Sequence, residues 1–567
     1  NASDDGAGTN DDASKNSTLV NLSRKFGYQP DQKSSNNVYF KTSEYFLCPF
    51  RDIGCPIVQL FQFPGISRIL LCSLNPLENT MKRRSLFKAA PILLAAGGLP
   101  TLARAQATSS QNEWDVVVVG AGFAGLCAAL EAAEKGAKVV LIEKMNRPDG
   151  TTIYSSGWIA CVGSKFQKDH PDSKEAFFND MMKLSGYRSD PECIKVYAEE
   201  AGDGVDWLAS HGTPFYLWEN LPAPELSRCL ISPGDGITGG SQLVRCVLKA
   251  LEKKGVPIHY NTKAIELITD DLLNVKGVVC LTKDKRVEYL AKGGVILTTG
   301  GYAANQAMVT QFIGPWASRL VLRGSPWITG ENITMTQKVM AKLVNLDQFY
   351  AGPMTPTGKA NPSPLMHAGY GIQVNNQGKR FVEETWLQVP KAKAIAERTP
   401  DNISYMLIGQ DADKNSNILT NTLTRFRRLG YEVPSGNTIE EVAKKAGVPV
   451  NNLLATVKEF NTAVKKGKCK DLVPPYSYDE PHALETGPYY MIPAAGGIAS
   501  TFGGPKINGK AEVVNTENRT IPGLYAAGAA AGGVWYQDDI GGNQLGGCMV
   551  FGRVAGRNAA LRAKEQN

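Results

Sequence analysis

The sequence predicts an α/β fold with a parallel β-sheet, and three of its segments support this class. Residues 114–144 follow a strand, helix and strand pattern, and apolar strand patterns run into glycine-rich turns at 293–305 and at 520–533. The β-branched run at 116–119 is typical of a strand that is buried on both faces of a parallel sheet. We therefore expect a Rossmann-like lobe to which both ends of the chain contribute.

The turn after the first strand carries the motif GxGxxG. Gly120 allows the tight bend, Gly122 lets the backbone approach a pyrophosphate, and Gly125 lets the helix pack closely on the strand. Glu143 ends the second strand, where a carboxylate can accept hydrogen bonds from an adenosine ribose. Strand, glycines, helix, strand and acid follow one another within about thirty residues, which predicts a dinucleotide site.

The C-terminal end of the chain favours FAD over NAD. The sequence TIPGLYAAGAAAGG at 520–533 sets a strand against a glycine-rich turn, and GGNQLGGCMVFGRVAGRNAA at 541–560 opens a final helix with a glycine cluster. Backbone N–H groups at a helix N-terminus bind a pyrophosphate well. A C-terminal return of this kind closes the cofactor site in flavoproteins.

These segments resemble the FAD-binding lobe of the fumarate reductase/succinate dehydrogenase flavoprotein superfamily, and within it the soluble periplasmic flavocytochrome c-type fumarate reductases. The resemblance covers nearly all of residues 113–560 and includes DPECIKVYAEEAGDGVDWLASHG at 190–212 and GKRFVEET at 378–385. It implies an FAD-dependent oxidoreductase that acts on CH–CH bonds.

The resemblance also implies how the chain is divided. We expect an FAD-binding lobe at 112–302 and 484–564, with an inserted α+β capping domain at 303–483. Within the insert, an apolar stripe from Leu453 to Val464 predicts a helix, and the glycine and proline content of 350–374 predicts a loop near the flavin.

The glycine motifs and the resemblance together define a set of FAD-binding residues. Ala529 stands where the family has a glutamate that bonds the cofactor, and no histidine occupies GTTIYSSG at 150–157, where membrane-bound relatives attach FAD. We therefore expect non-covalent FAD. The predicted FAD-binding residues are Gly120, Gly122, Phe123, Ala124, Gly125, Glu143, Lys144, Thr151, Thr152, Ser155, Ser156, Gly157, Thr299, Gly300, Gly301, Gly528, Ala529, Gly542, Gln544 and Leu545.

The positions that bind the dicarboxylate in fumarate-reducing members are all changed. The family uses two arginines and two histidines, and one arginine delivers the proton. Here Gln388 and Gln544 stand at the arginine positions, and Gly352 and Ser500 stand at the histidine positions. Guanidinium groups pair with carboxylates bidentately, at ~1.5–3 kcal/mol per charged hydrogen bond. Fumarate is therefore not the expected substrate.

The remaining polar groups suit a less charged substrate. We predict that flavin N5 exchanges a hydride with a C–C double or single bond next to a carbonyl, in an enone or a larger enoate. A tyrosine ahead of the C-terminal glycines is similar to the arrangement in the 3-ketosteroid dehydrogenases. Hydroxyl and amide groups would hold the carbonyl and supply a proton. The candidate catalytic residues are Tyr536, Ser500, Gln544, Gln388 and Tyr370.

Two other interpretations stay open. The first is a carboxylate reductase that acts on urocanate-like or other aryl acrylates, with Arg323 or a nearby cation as the anchor. Arg319 and Arg323 of SRLVLRG could together form a carboxylate clamp. The second is a flavin electron-transfer protein that has no carbon substrate.

The N-terminal region predicts the cellular compartment in which the protein is found. The segment 81–105 has the basic head, apolar run and small residues of a twin-arginine export signal, so we expect a periplasmic protein that is exported folded. Residues 1–80 are interpreted as upstream translation or disordered sequence.

The composition of residues 106–567 limits the kinds of molecule that this part of the chain is expected to bind. This part has 49 Lys+Arg against 46 Asp+Glu, which does not favour nucleic acid. It has no apolar run long enough for a membrane span and no metal cluster. CxxCH is absent, so a separate cytochrome or quinol enzyme is expected to exchange the electrons.

Overall fold

The computed structural model describes residues 112–170, 172–218, 227–234, 237–358, 361–366, 369–413 and 417–566. The predictions for 1–80 and for the export signal lie outside these residues. In chain order the strands are β1 Glu113–Val119, β2 Val139–Ile142, β3 Trp158–Ala160, β4 Tyr216–Leu217, β5 Cys229–Ile231, β6 Ile258–His259, β7 Thr262–Thr269, β8 Val275–Thr282, β9 Lys285–Leu297, β10 Val321–Leu322, β11 Leu343–Val344, β12 Phe349–Met354, β13 Gly371–Asn375, β14 Ser404–Gly409, β15 Ser435–Gly436, β16 Tyr489–Thr501, β17 Gly504–Pro505, β18 Glu512–Val514 and β19 Thr520–Ala526.

Helices cover both lobes. In chain order they are α1 Phe123–Glu134, α2 Lys174–Leu184, α3 Pro191–Ser210, α4 Gly239–Lys253, α5 Gln306–Phe312, α6 Glu331–Gln337, α7 Ser363–Met366, α8 Gln388–Arg398, α9 Ile418–Arg428, α10 Ile439–Ala446, α11 Val450–Lys466 and α12 Asn543–Glu565. Among the described residues, no helix is both long enough and apolar enough to cross a bilayer.

The first sheet has the strand order β18-β19-β9-β1-β2-β6, and β8 also pairs with β9 while β7 pairs with β8. Strand β1 runs parallel to β2 and β9, and β19 runs parallel to β9. Val119 pairs with Ile142 on one side and with Leu297 on the other, so three carboxyl ends meet at one edge. The predicted α/β fold with a parallel sheet is confirmed.

The two ends of the chain meet in the packing of α1 on α12. A Cβ atom added at Gly552 would lie 2.5 Å from the carbonyl oxygen of Ala124, and one added at Gly556 would lie 2.2 Å from that of Ala128. These glycines let the helix backbones approach closely, and both helices also cover the parallel sheet. The first and last helices therefore form one structural unit.

The second sheet is built around β16. It has the order β10-β16-β14-β13, and β12 and β15 also pair with β16. The second sheet therefore includes residues up to Thr501, and the division of the chain at 484 that the sequence suggested stays a prediction. The alternation of small and apolar residues in β16 does not identify which sheet the strand joins.

The prediction of a loop throughout 350–374 is wrong. Strand β12 occupies its first part, and β13 begins at Gly371. Pro353 is tolerated because β12 pairs only with β16, with Pro353 opposite Gly496. The predicted helix in the insert is correct: Leu453, Val457 and Phe460 of α11 are buried.

The close packing around Gly125 predicts that a larger residue at this position destabilises the protein. A Cβ atom at this position would lie 1.9 Å from the carbonyl oxygen of Gly120 and 2.6 Å from Thr298 Oγ1. We expect Gly125→Ala to destabilise the FAD-free protein by ~1–3 kcal/mol through overpacking, despite the better helix propensity of alanine. Thermal unfolding of the FAD-free protein measures this.

Gly122→Ala is the matched control, because the nearest atom to its added Cβ is the carbonyl oxygen of Asp149 at 3.8 Å. Equal melting temperatures for the two FAD-free variants would contradict close packing at Gly125.

Candidate functional site

A cleft of about 870 Å³, including its open mouth, lies where the carboxyl ends of β1, β2 and β9 meet. The turns after these strands and the loop at 149–152 form its walls. Eleven predicted FAD-binding residues line this cleft. They are Gly120, Gly122, Phe123, Ala124, Glu143, Lys144, Thr151, Thr152, Thr299, Gly300 and Ala529.

The N-terminus of α1 opens into the cleft. Gly120 has a φ of +107°, which few residues other than glycine adopt, and its turn lies against Thr298. Gly122 caps α1 without any side-chain hydrogen bond to the first turn. The backbone N–H groups of this turn and the positive end of the helix dipole therefore suit a pyrophosphate.

Glu143 holds the turn beside this helix. One carboxylate oxygen accepts a hydrogen bond from the N–H of Ala121 at 2.8 Å, and the other accepts one from the N–H of Met145 at 2.8 Å. Burial raises the pKa of Glu143, and these two N–H groups oppose the rise. Each oxygen keeps a further lone pair, so Glu143 can still accept a ribose hydroxyl.

Lys144 pairs across the cleft with Glu331, the first residue of α6. The Lys144 Nζ to Glu331 Oε1 distance is 2.6 Å. Glu331 Oε2 is buried in the cleft wall and has no hydrogen-bond partner among the described residues. A hydroxyl or amino group of a bound cofactor would satisfy this oxygen. Sequence reasoning missed Glu331, because no local pattern relates it to Lys144.

The other predicted FAD-binding residues lie outside the cleft lining. Ser155 donates to the carbonyl oxygen of Thr152, and Ser156 is exposed. Gly125, Gly157, Gly301 and Gly528 lie where an added Cβ would press on neighbouring atoms. Gly542, Gln544 and Leu545 lie at the start of α12. Whether these residues contact the cofactor stays a prediction.

The cleft as a whole fits FAD. It combines an uncapped helix N-terminus, a buried carboxylate beside the second strand and an unpaired acceptor on Glu331. These groups match the pyrophosphate, the ribose and a further polar group of the adenosine half.

A second group of polar residues adjoins the cleft through Thr151. Its hydroxyl donates to the carbonyl oxygen of Ala499 at 3.4 Å and accepts from the N–H of Ser325 at 3.3 Å. Ser500 follows Ala499 in β16 and pairs with Tyr350 of β12. Tyr350 in turn accepts a 2.5 Å hydrogen bond from Gln388 Nε2 at the start of α8. Two predicted catalytic residues, Ser500 and Gln388, thus adjoin one tyrosine.

Arg323 joins this second group. Its guanidinium carbon lies 5.9 Å from the centre of the Tyr350 ring, and a Cβ atom at Gly352 would lie 1.4 Å from its Nη1. The Nη1 atom is buried and has no hydrogen-bond partner in the part of the chain that the structure describes. Burial lowers the pKa of Arg323, and Tyr350 opposes this.

The other predicted catalytic residues have different neighbours. Gln544 Nε2 donates to Asp539 Oδ2 at 2.7 Å, and the ring of Tyr536 lies under Arg188 at 4.3 Å. Tyr370 stacks on His482 at 4.5 Å and directly precedes β13, which β14 separates from β16.

Arg319 is not part of a clamp with Arg323. Its Nη2 donates to the carbonyl oxygen of Ala396 at 3.0 Å, near the C-terminal end of α8. Tyr350 was missed by sequence reasoning because its segment was predicted to be a loop.

Comparisons with known proteins agree with this geometry. A family model described as an FAD binding domain matches residues 115–545. Fumarate reductase (cytochrome) of Shewanella frigidimarina is 31% identical over 464 residues, which cover 81% of this chain and 79% of that protein. Urocanate reductase of Eggerthella lenta is 33% identical over 471 residues, which cover 79% of this chain and 75% of that protein.

A solved structure shares the fold over most of the described chain. The 3-ketosteroid-delta4-(5alpha)-dehydrogenase from Rhodococcus jostii RHA1, in complex with 4-androstene-3,17-dione, has a TM-score of 0.66 and is 26% identical. The match covers 80% of this chain and 98% of that chain.

Because Gly122 faces open space in the cleft, a substitution there is predicted to change the affinity for FAD. A methyl group there projects from a residue that lines the cleft, so it would meet the cofactor rather than the protein. We expect Gly122→Ala to weaken FAD binding about tenfold, or about 1.4 kcal/mol. Titration of the FAD-free protein with FAD, followed by flavin fluorescence, measures this. An unchanged dissociation constant would contradict a pyrophosphate at this turn.

The Lys144–Glu331 pair predicts how the stability of the protein depends on pH. Burial alone would raise the pKa of Glu331, but the hydrogen bond and charge of Lys144 lower it overall. A lowered folded-state pKa contributes stability above the unfolded value, and this is lost as pH falls through the folded value. We expect the melting temperature of Glu331→Gln to fall less than that of the wild type below about pH 5.

Glu266→Gln serves as the control, because Glu266 pairs with Lys338 and Arg286 on the exposed surface. Water screens such pairs, so we expect this variant to follow the wild-type pH curve closely. A Glu331→Gln curve parallel to that of the wild type would contradict the role of the buried pair.

Proposed function

The chain belongs to the FAD binding domain family, and from this premise we propose that its substrate is larger and less charged than fumarate. The chain is an FAD-dependent oxidoreductase that acts on carbon–carbon double bonds, as its relatives do. We propose that the bond is conjugated with a carbonyl group, in an enone or in an enoate with a sizeable uncharged body.

The observation that carries this proposal is that two glutamines, which are neutral, replace the arginines of the family. Gln388 and Gln544 stand at the positions where the resemblance expects arginines, and each donates to a neighbouring side chain of the protein. A dicarboxylate needs two cationic or strongly donating partners at these positions. The loss of both charges therefore disfavours a small dianion.

Two sets of residues would have separate roles, one in holding the cofactor and the other in supplying a proton to the substrate. The N-terminus of α1, Glu143 and the Lys144–Glu331 pair would hold the cofactor. When bound, FAD supplies the group that accepts or donates the hydride. Tyr350, held by Gln388, can keep a proton at its Oη atom and present it to the substrate.

Two relatives support different versions of the substrate. The steroid dehydrogenase structure contains a neutral enone, and the other relative is named for reducing urocanate, an aryl-substituted acrylate. Both compounds are larger than fumarate and carry fewer than two carboxylates.

We also propose a periplasmic location, non-covalent FAD and a separate electron partner. The Arg83-Arg84 pair with its following apolar run supports export by the twin-arginine route. The absence of histidine from 150–157 supports non-covalent binding. A cytochrome or quinol enzyme would deliver the electrons, because CxxCH is absent from the sequence.

The experiment that tests the proposal follows the flavin colour. The holoenzyme from residue 106 onward is reduced anaerobically until the flavin bleaches, and fumarate, cinnamate or benzalacetone is then added. We expect the yellow flavin to return with cinnamate or benzalacetone and to stay bleached with fumarate.

Each other result has a definite meaning. Reoxidation by fumarate would show that two arginines are not required and would overturn the substrate proposal. No reoxidation by any of the three compounds would instead favour an electron carrier without a carbon substrate. A buffer addition controls for traces of oxygen.

A further inference from the structure

We infer that Arg323 is the residue that binds the substrate, and that the substrate is therefore an unsaturated monocarboxylate with an uncharged body. This inference rests on the proposed function and decides between its enone and enoate versions.

The guanidinium group of Arg323 occupies the space beside the Cα atom of Gly352. Gly352 lies in β12, directly beside the guanidinium group: an added Cβ would lie 1.4 Å from Nη1, 2.6 Å from Cζ and 3.3 Å from Nη2 of Arg323. No side chain at position 352 could coexist with the arginine in this place. The glycine that replaces a family histidine thus makes room for a cation that enters from another strand.

The contacts of Arg323 in the described chain leave its positive charge without an acidic partner. The backbone N–H of Arg323 donates to the carbonyl oxygen of Ile498, and its guanidinium group faces the Tyr350 ring. No acidic residue in the described part of the chain forms an ion pair with it. A buried cation that has no acidic partner in the described chain pays a desolvation cost that nothing offsets. An anionic group of a ligand would remove this cost.

Neighbouring arginines show how unusual this is. Arg380 pairs with Glu384 at 2.6 Å and also donates to the carbonyl oxygen of Pro474. Arg319 donates to backbone carbonyl groups near the end of α8. These two arginines stabilise the capping domain, whereas the buried Nη1 of Arg323 has no such structural role.

Arg323 is close in sequence to the wall of the FAD cleft. Arg323 is two residues from Ser325, which lines the FAD cleft, and Gly324 between them lies against Thr151. The Tyr350 ring, which the guanidinium group faces, packs in turn against the ring of Phe502, with the two ring centres 6.5 Å apart. A carboxylate on Arg323 would therefore bring an attached apolar or aromatic body close to the Tyr350 ring.

One cation accounts for one carboxylate. In the family the arginines come from the positions of Gln388 and Gln544, on α8 and α12. Here the charge comes from the residue after β10, on a different element. We expect the substrate to bind with its carboxylate toward β10 and β12.

The test compares an acid with a neutral compound of the same shape. The kcat/KM of the holoenzyme is measured with cinnamate and with benzalacetone, for the wild type, Arg323→Gln and Arg323→Lys. We expect Arg323→Gln to lower kcat/KM for cinnamate about a hundredfold, mainly through KM, and to change that for benzalacetone less than about threefold. Arg323→Lys should restore part of the loss.

Arg286→Gln is the control for the loss of one positive charge, because Arg286 is exposed and pairs with Glu266. Flavin content shows whether each variant has folded. If Arg323→Gln does not fold, Gly352→Ala gives the same test, since its methyl group displaces the guanidinium group.

A second readout does not depend on turnover. The melting temperature of the oxidised holoenzyme is measured with 3-phenylpropanoate and with 3-phenylpropanamide. We expect the acid alone to raise the wild-type melting temperature, and neither compound to raise that of Arg323→Gln.

The outcomes separate the two proposals. Reduction of benzalacetone but not cinnamate, or an equal loss for both in Arg323→Gln, overturns the role of Arg323 and leaves the proposed function standing. If neither alkene reoxidises the flavin, the proposed function fails, and the melting temperatures alone decide whether Arg323 binds a carboxylate.

Discussion

The close approach of the Gly120 turn to Thr298 is the constraint on which the rest of the structure depends. It brings the ends of β1 and β9 together and aims α1 at the cleft. Any side chain at Gly120 or Gly125 would separate the strand ends from the helix. The cofactor walls, the Thr151 link and the second polar group all take their positions from this edge.

The FAD cleft and the second group of polar residues differ in whether their charged side chains are paired. Around the cleft, Lys144 is neutralised by Glu331, and Glu143 is held by two backbone N–H groups. In the second group, the two glutamines are neutral and Arg323 has no acidic partner in the described chain. The cleft is arranged to hold a ligand that carries its own phosphates, and the second group keeps one positive charge for a smaller anion.

Local patterns predicted the parts of this molecule that depend on neighbouring residues in sequence. The strand, turn and helix around Gly120 were predictable because β-branched runs and glycine spacing act over a few residues. The pairing of Lys144 with Glu331 was not, since the two residues lie far apart in the chain. Tyr350 was hidden for a different reason: a glycine and a proline follow it in a strand, and only the pairing with β16 explains why that strand forms.

The packing of α1 against α12 has a consequence for how the protein is made. A ribosome synthesises the partner of Ala124 and Ala128 roughly 400 residues after them, which at 5–20 residues per second takes about 20–80 seconds. During that time the first βαβ unit lacks the helix that covers it and β19, which extends its sheet beyond β9. Until α12 is made, the apolar face of α1 that α12 covers stays exposed, and this surface is prone to aggregation.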